Sequence, residues 1–284
     1  MGGEGATILF GLASAVVWGA ADFGGGHTTR RAPLLGVSFI LQPVGLLCAL
    51  LVALLRGEAA PDAGAVVLGL AAGAFGVVGL VNLYHGLAVG RMGVVAPVTG
   101  LLAATLPVLA GILRDGFPGG GVLAGIVLAL VAVVLVSRAP GEAGRRSGAE
   151  FAVAAGLAIG IFNVLISQAP AASLFSTLAL AKLSAAACVG LVVLLGRRSW
   201  RVGGSALPIA VLVGVLDFAG NGLFVLAAHA GRLDIAATLS SLYPVTTVIL
   251  AATLLHERIS RLHWLGIAVA ILAIVLIASA SIAG

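Results

Sequence analysis

GLVNLYHGLAVGRMGVVAPVTGLLAATLPVL, residues 79–109, and GNGLFVLAAHAGRLDIAATLSSLYPVTTVIL, residues 220–250, are two versions of one pattern. A shift of 141 positions lays Gly90-Arg91 on Gly231-Arg232, Thr99 on Ser240, Leu101 on Leu242, Thr105 on Thr246 and Leu109 on Leu250. The match runs on to residues 137 and 278 and carries Gly125 onto Gly266. Each copy reads as apolar helix, short charged turn, apolar helix. Internal repetition on this scale sets the architecture before any single residue does.

Composition supplies the solvent. Of 284 residues, 61% are hydrophobic and 9% charged, and the mean hydropathy is +1.22. A water-soluble domain carries roughly 25% charged residues because its surface must be wetted. This chain cannot coat itself, so its outer surface faces lipid. Apolar stretches of spanning length, close to the roughly 20 residues a crossing helix needs, fall at 6–26, 34–55, 65–88, 93–113, 120–137, 150–169, 172–195, 205–228, 234–254 and 262–282. Spans 3 and 4 are joined only by Gly90-Arg91-Met92, and spans 8 and 9 by Gly231-Arg232-Leu233, so each pair is antiparallel. The segments do not alternate and are about twice the length of a tilted strand, which excludes a β-barrel.

The first span is expected to be an uncleaved helix, because Glu4 precedes it and no Lys or Arg supplies a basic leader. Cys48 and Cys188 fall inside predicted helices without a CxxC partner and read as small core residues. The loops after spans 1, 3, 5, 7 and 9 hold eleven arginines (30, 31, 91, 138, 145, 146, 197, 198, 201, 258 and 261), against Arg56, Arg114 and Arg232 in the others. The positive-inside rule puts the first set in the cytoplasm and both termini outside. The net charge of +5 is thus mostly juxtamembrane, and nucleic acid is not an expected partner. Trp200 and Trp264 sit at predicted helix ends, where interfacial anchors belong.

Five spans are an odd number. Two five-helix copies, 1–137 and 150–284, joined through the polar stretch 138–149, must insert in opposite senses and form an inverted repeat. The expected fold is therefore an all-α integral membrane protein of ten transmembrane helices in two inverted five-helix repeats. Exchange of conformation between such halves turns an outward-open cavity into an inward-open one.

The chain resembles the EamA-type members of the drug/metabolite transporter superfamily over essentially its whole length. The residues that carry the resemblance are Trp18-Gly19 in the first span, Leu242-Tyr243-Pro244 in the ninth, and Glu257-Arg258-Ile259-Ser260 with Gly266 after it. The first half follows the pattern less well: Ala96-Pro97 and Leu106-Pro107 supply prolines, but Leu113-Arg114-Asp115-Gly116-Phe117-Pro118 stands where the acidic-Arg pair belongs. The resemblance implies export or exchange of small metabolites, amino acids or drugs. It also implies a cavity lined by helices 3, 4, 8 and 9 with parts of 1 and 6, and cytoplasmic termini, against the arginine count.

Ionisable groups within the membrane are costly and mark pathways or partners. Lys182, the only lysine, and Asp217 lie near the middle of spans 7 and 8. Asp217 reads either as a protonatable site or counter-ion, or as the structural partner of Lys182. Asp22 follows Trp18 by four residues on one face of span 1; the resemblance adds interest, since the related small multidrug resistance proteins use an acidic residue in their first helix. Gly24-Gly25-Gly26 and His27 follow it, which also fits a solvated helix end. Asn82 and His85 share a face of span 3, with Tyr84 pointing elsewhere, and His85 reads as a proton-coupling group or a packed interhelical hydrogen bonder. Asn221 in span 8 and Tyr243 in span 9 are further cavity candidates, while His229 is expected at the interface. Pro97, Pro107 and Pro244 lie inside spans 4 and 9 and are expected to kink them. Gly69-xxx-Gly73, Gly86-xxx-Gly90, Gly121-xxx-Gly125 and Gly156-xxx-Gly160 are ridges for close helix approach.

The expected function is a secondary transporter in the plasma (inner) membrane, exporting or exchanging a small molecule by alternating access, with protons as the candidate coupling ion. The alternatives are a passive facilitator or channel and, last, an intramembrane enzyme. No Gly-x-Ser-x-Gly elbow occurs, and His256-Glu257-Arg258-Ile259-Ser260 lacks the second histidine of a zinc helix. No cofactor and no metal are expected; the expected partners are lipid and a small-molecule substrate.

Overall fold

The computed structural model describes residues 3–29, 31–89, 92–137, 148–196, 199–254 and 260–283, all of whose regular elements are helical. In chain order these are α1 (Gly3–Thr29), α2 (Leu34–Leu55), α3 (Ala63–Val89), α4 (Met92–Asp115), α5 (Gly120–Ser137) and α6 (Ala149–Ile166), then α7 (Leu174–Leu195), α8 (Leu207–Ala230), α9 (Leu233–Ser240), α10 (Tyr243–Leu254) and α11 (Arg261–Ala283). A single 3-10 turn, Ala171–Ser173, leads into α7. Among the described residues nine segments are long and apolar enough to cross a membrane, with α9 and α10 counted together as one; the apolar run of α5 is shorter. Large side chains stand exposed on the outside of the bundle, among them Leu47, Leu51 and Leu54 of α2 and Leu191, Leu194 and Leu195 of α7. That surface suits lipid and not water.

The helix limits agree with the hydropathy reading to within about three residues, with one correction. The ninth span is not a continuous kinked helix. It breaks at Ser241-Leu242, and Pro244 is the second residue of the helix that follows. Proline has no N–H to bond the carbonyl four residues back and its ring crowds that carbonyl. The chain meets this by turning: Leu242 N–H donates to Leu239 O at 3.2 Å, and Val245 N–H to Leu242 O at 3.0 Å. By contrast, Pro97 and Pro107 lie within α4, which runs unbroken.

The helices pair in a swapped pattern between the two halves. α1 packs on α8 as α6 packs on α3; α6 packs on α4 as α1 packs on α9 and α10; α3 meets α7 as α8 meets α2. α2 with α7, α4 with α9, and α5 with α11 complete the set. The glycine ridges lie at these seams. Gly69 and Gly73 face α7 at Thr177, Leu180 and Ala181; Gly156 and Gly160 face α4 at Leu102 and Leu106; Gly121 and Gly125 face α11 at Ala280 and Ile277. A Cβ at Gly156 would come within 2.6 Å of Leu102 Cβ, so this approach requires glycine. Gly90 of the remaining ridge lies outside the described residues.

One face of the bundle, the termini face, collects the start of α1, the α2–α3 and α4–α5 loops, the α6–α7 junction and the α8–α9 turn. Glu58 ties the α2–α3 loop to the start of α7, accepting from Phe175 N–H at 3.1 Å and Ser176 N–H at 2.9 Å. A carboxylate at a helix N-terminus satisfies orphan amides and meets the positive end of the dipole. On the far face the α7–α8 loop packs on the start of α2, with Trp200 set edge-on to Phe39 at 5.8 Å. Trp200 and Trp264 are both half exposed, as interfacial anchors are. Cys48 and Cys188 are free thiols, each partly buried. Ser260, the last residue of the Glu257–Ser260 motif and the only one of its four that is described, caps α11. His263 N–H reaches its Oγ at 3.4 Å and Ser260 N–H reaches His263 Nδ1 at 3.2 Å, a reciprocal arrangement of the capping-box kind.

Candidate functional site

A cavity lies at the centre of the bundle and leans toward the far face. The centre of a water-sized sphere can move through about 100 Å³ of it, enough for several waters. Its walls come from α1 (Trp18, Asp22), α2 (Gln42), α3 (Gly73 to Leu83), α4 (Ala103, Ala104), α6 (Ile159, Phe162, Asn163), α7 (Ala181, Lys182, Ala185), α8 (Asp217, Asn221) and the α9–α10 break (Ala237, Ser241, Tyr243). The helix set implied by the resemblance is therefore incomplete, since α2 and α7 contribute as well. The break in the ninth span lines the cavity, where irregular backbone is tolerated at membrane depth.

The first and ninth spans meet beside it. Gly19 lies against Tyr243 O and Thr246, where a Cβ would come within 2.5 Å of either. Thr247 Oγ1 donates to Gly19 O at 3.0 Å and shares its proton with Tyr243 O at 3.2 Å. Trp18 stacks on Phe224 of α8, ring centres 5.6 Å apart, and is accommodated by Gly220. The Trp-Gly and Leu-Tyr-Pro motifs thus touch across the two halves of the chain. Tyr243 extends toward α4, its hydroxyl facing Gly100.

Lys182 donates to Asp217 Oδ2 as a direct ion pair. Both side chains are largely buried, at 7% and 18% exposure, and the lysine stem lies against Gly45 of α2. Asn221 completes the group, its Nδ2 donating to Asp217 O at 2.6 Å and Oδ1 at 3.2 Å. Asp22, on the α1 wall of the same cavity, has no hydrogen-bond or ion-pair partner among the described residues. It is not a helix-end residue, because α1 continues to Thr29. With every group ionised, the cavity therefore carries one unbalanced negative charge, that of Asp22.

Asn82 and His85 do not reach the cavity. Asn82 Nδ2 donates to Val78 O of its own helix at 2.8 Å, and His85 is exposed, edge-on to Phe151 at 4.6 Å. Tyr84 faces inward instead. It is fully buried, with its hydroxyl in the space left by Gly25. Pro97 is within α4 and its side chain is not among those described. Gln42 and Asn163 were not expected at the site: they are single amides in apolar helices, with no neighbouring signal to mark them. Among the described residues no three His, Cys, Asp or Glu side chains converge as a metal site would require.

Toward the termini face the walls close. Gly111 of α4 seats directly against Asp234 of α9. Arg232 spans the join: Nε and Nη2 donate to Asp234 at 3.1 and 2.7 Å, while Nη1 and Nη2 donate to the carbonyls of Asp115 and Gly116 at 3.2 and 2.6 Å. The Asp234 hydrogen bond pushes the guanidinium above its already high ordinary value, so the clamp stays charged. Charge-assisted bonds of this kind are the strong ones. Arg232→Ala is expected to raise, by about tenfold, the labelling rate of a cysteine at Ala237 by an impermeant maleimide at the termini face, equivalent to about 1.4 kcal/mol of lost closure. An unchanged rate would make the cluster a helix cap and nothing more.

Comparison with known proteins follows the same lines. A family model described as the EamA-like transporter family matches residues 146–279. A solved crystal structure shares the fold with a TM-score of 0.76 at 17% identity, over 96% of this chain and 96% of that one. No curated protein shows significant sequence similarity.

Proposed function

We propose that this chain, whose residues 146–279 match the model of the EamA-like transporter family, is a membrane transporter of small molecules that works as a secondary transporter by alternating access. Two five-helix halves, residues 1–137 and 150–284 joined by 138–149, form an inverted repeat around the central cavity. The swapped helix pairing supports this division, as does the odd number of spans in each half. Exchange of conformations between the halves would open the termini face and close the far one.

The observation that carries the reading is the cavity itself. Both halves wall it, and among the described residues its one carboxylate without an ion-pair or hydrogen-bond partner is Asp22. A carboxylate without a partner in a low-dielectric site is costly while charged, and binding a proton relieves that cost. Asp22 is therefore the group that links transport to protons. Asp217, already neutralised by Lys182, holds the wall together. The solute, a metabolite, amino acid or drug, is exported or exchanged across the plasma membrane.

The test is uptake by the purified protein in liposomes, using pooled labelled amino acids and a cationic dye, with and without an imposed pH gradient. Uptake that requires both protein and gradient is expected. Equal uptake without the gradient would make the protein a facilitator, and single-event conductance in planar bilayers would make it a channel.

A further inference from the structure

The helices around the cavity are tied together unequally at their two main seams. α3, α4, α6 and α7 pack as one body and α1, α2, α8, α9 and α10 as another, and the bodies meet where α2 lies against α7 and where α4 lies against α9. At the termini face the first seam carries a strap. Glu58, in the α2–α3 loop, has a side chain only 4% exposed and accepts from Phe175 N–H, Ser176 N–H and Ser176 Oγ–H at 3.1, 2.9 and 3.2 Å. Arg56 Nε lies 3.4 Å from the same carboxylate, with its guanidinium over the Phe175 ring at 5.3 Å. Ala59 N–H donates to Ala172 O at 3.0 Å, and the Phe175 ring also meets Gly222 and Phe218 of α8.

Parting that seam would break every bond of a dry carboxylate and bare two first-turn amides of α7, and charge-assisted bonds are the strong ones. The second seam is held more lightly. Arg232 and Asp234 both belong to the start of α9 and move together, so only the guanidinium's two bonds to the carbonyls of Asp115 and Gly116 cross it. Those two lie at the surface, where water can replace them. The other half of the chain supplies a contrast. The α7–α8 connection, residues 196–206, docks on the start of α2 at the far face but contains no Asp or Glu. Among its described residues, the Trp200 carbonyl and Val202 lie against Gly36, and the Trp200 ring lies on Phe39. We infer that the Glu58 strap is a fixed pivot: it stays closed throughout the cycle, and the cavity opens to the termini face only by α4 swinging away from α9. Hinges of this kind are a few element-end residues about which packed bodies turn. This rests on the alternating-access reading above and names the point about which that movement turns.

The experiment locks the strap and asks whether the cavity still opens. In the full-length protein with Cys48 and Cys188 replaced by alanine, Ala59→Cys and Ala172→Cys place thiols on two exposed residues whose backbones are hydrogen-bonded. Oxidation, or a short bis-thiol reagent where the disulfide does not close, joins them. Ala237→Cys, on the cavity wall, reports opening through its labelling by an impermeant maleimide at the termini face. Locked and reduced forms are expected to label at rates within about twofold of each other, and Arg232→Ala to raise both by the same roughly tenfold. A lock that slows labelling beyond that range, with or without Arg232→Ala, would overturn the inference, because the strap would then have to part. Labelling of neither form would also overturn it, since α4 would not leave α9. Pooled liposome uptake by the same two forms separates this from the transport reading. Labelling in both forms without uptake in either would count against transport and leave the pivot standing. Uptake by the reduced form that is lost on locking would overturn the pivot and leave transport standing.

Discussion

Asp22→Asn is expected to abolish accumulation driven by a pH gradient, lowering it at least about tenfold toward the level seen without a gradient, while the protein melts close to the wild-type temperature. Asparagine keeps the shape of the carboxylate and cannot take up a proton at any relevant pH. Asp22 makes no hydrogen bond or ion pair that its loss would break among the described residues, so folding has little to lose. Removing an unpaired, partly buried charge also removes the cost of desolvating it. Gradient-driven accumulation measured in liposomes checks this, with thermal unfolding in parallel. Wild-type accumulation in Asp22→Asn would show that the proton is carried elsewhere.

Lys182→Met is expected to be severely destabilising, by about 3–5 kcal/mol, because it strands Asp217 in an apolar wall without its counter-charge. The double variant Lys182→Met/Asp217→Asn should recover most of that loss. The pair is mutually neutralising, and its desolvation cost disappears together with its attraction. Lys182 is the only lysine in the chain, and its bond to Asp217 joins α7 to α8, two helices that otherwise touch little. Equilibrium unfolding in micelles gives the comparison. A double variant as unstable as the single would mean that the lysine stem against Gly45, and not its charge, is what matters.

Much of this was legible because the membrane imposes strict costs. Span limits follow from the length of an apolar run, and the Lys182–Asp217 contact from the expense of a lone buried charge. The glycine ridges follow from how closely helices must pack when lipid gives them no hydrophobic drive to associate. What escaped the sequence also has physical reasons. Lipid and protein interior are both apolar, so a spanning helix shows little contrast between its outer and inner faces. Nothing in residues 34–55 distinguishes the face that carries Gln42, and Asn163 is equally unmarked. For the same reason Asn82 and His85 drew attention by polarity alone. Asn82 is satisfied within its own helix, and it is the neighbouring face, with Tyr84, that turns inward. Pro244 signalled an irregularity, but not whether the helix would bend or break. At the break Ser241 Oγ donates to Thr238 O at 2.7 Å, which gives a carbonyl at the end of α9 a partner.

The central claim is that one cavity is reached from two faces in turn, with closure on the termini face made by α4 against α9 and Arg232. Pulsed electron paramagnetic resonance tests it most directly, with Cys48 and Cys188 replaced by alanine and spin labels placed at Phe117 and His229. Both positions are exposed on the termini face, at the ends of α4 and α8. The account predicts two separations, the shorter matching the closed arrangement described here, with proportions that change between acidic and alkaline buffer and cease to change in Asp22→Asn. A single separation under every condition would contradict alternating access.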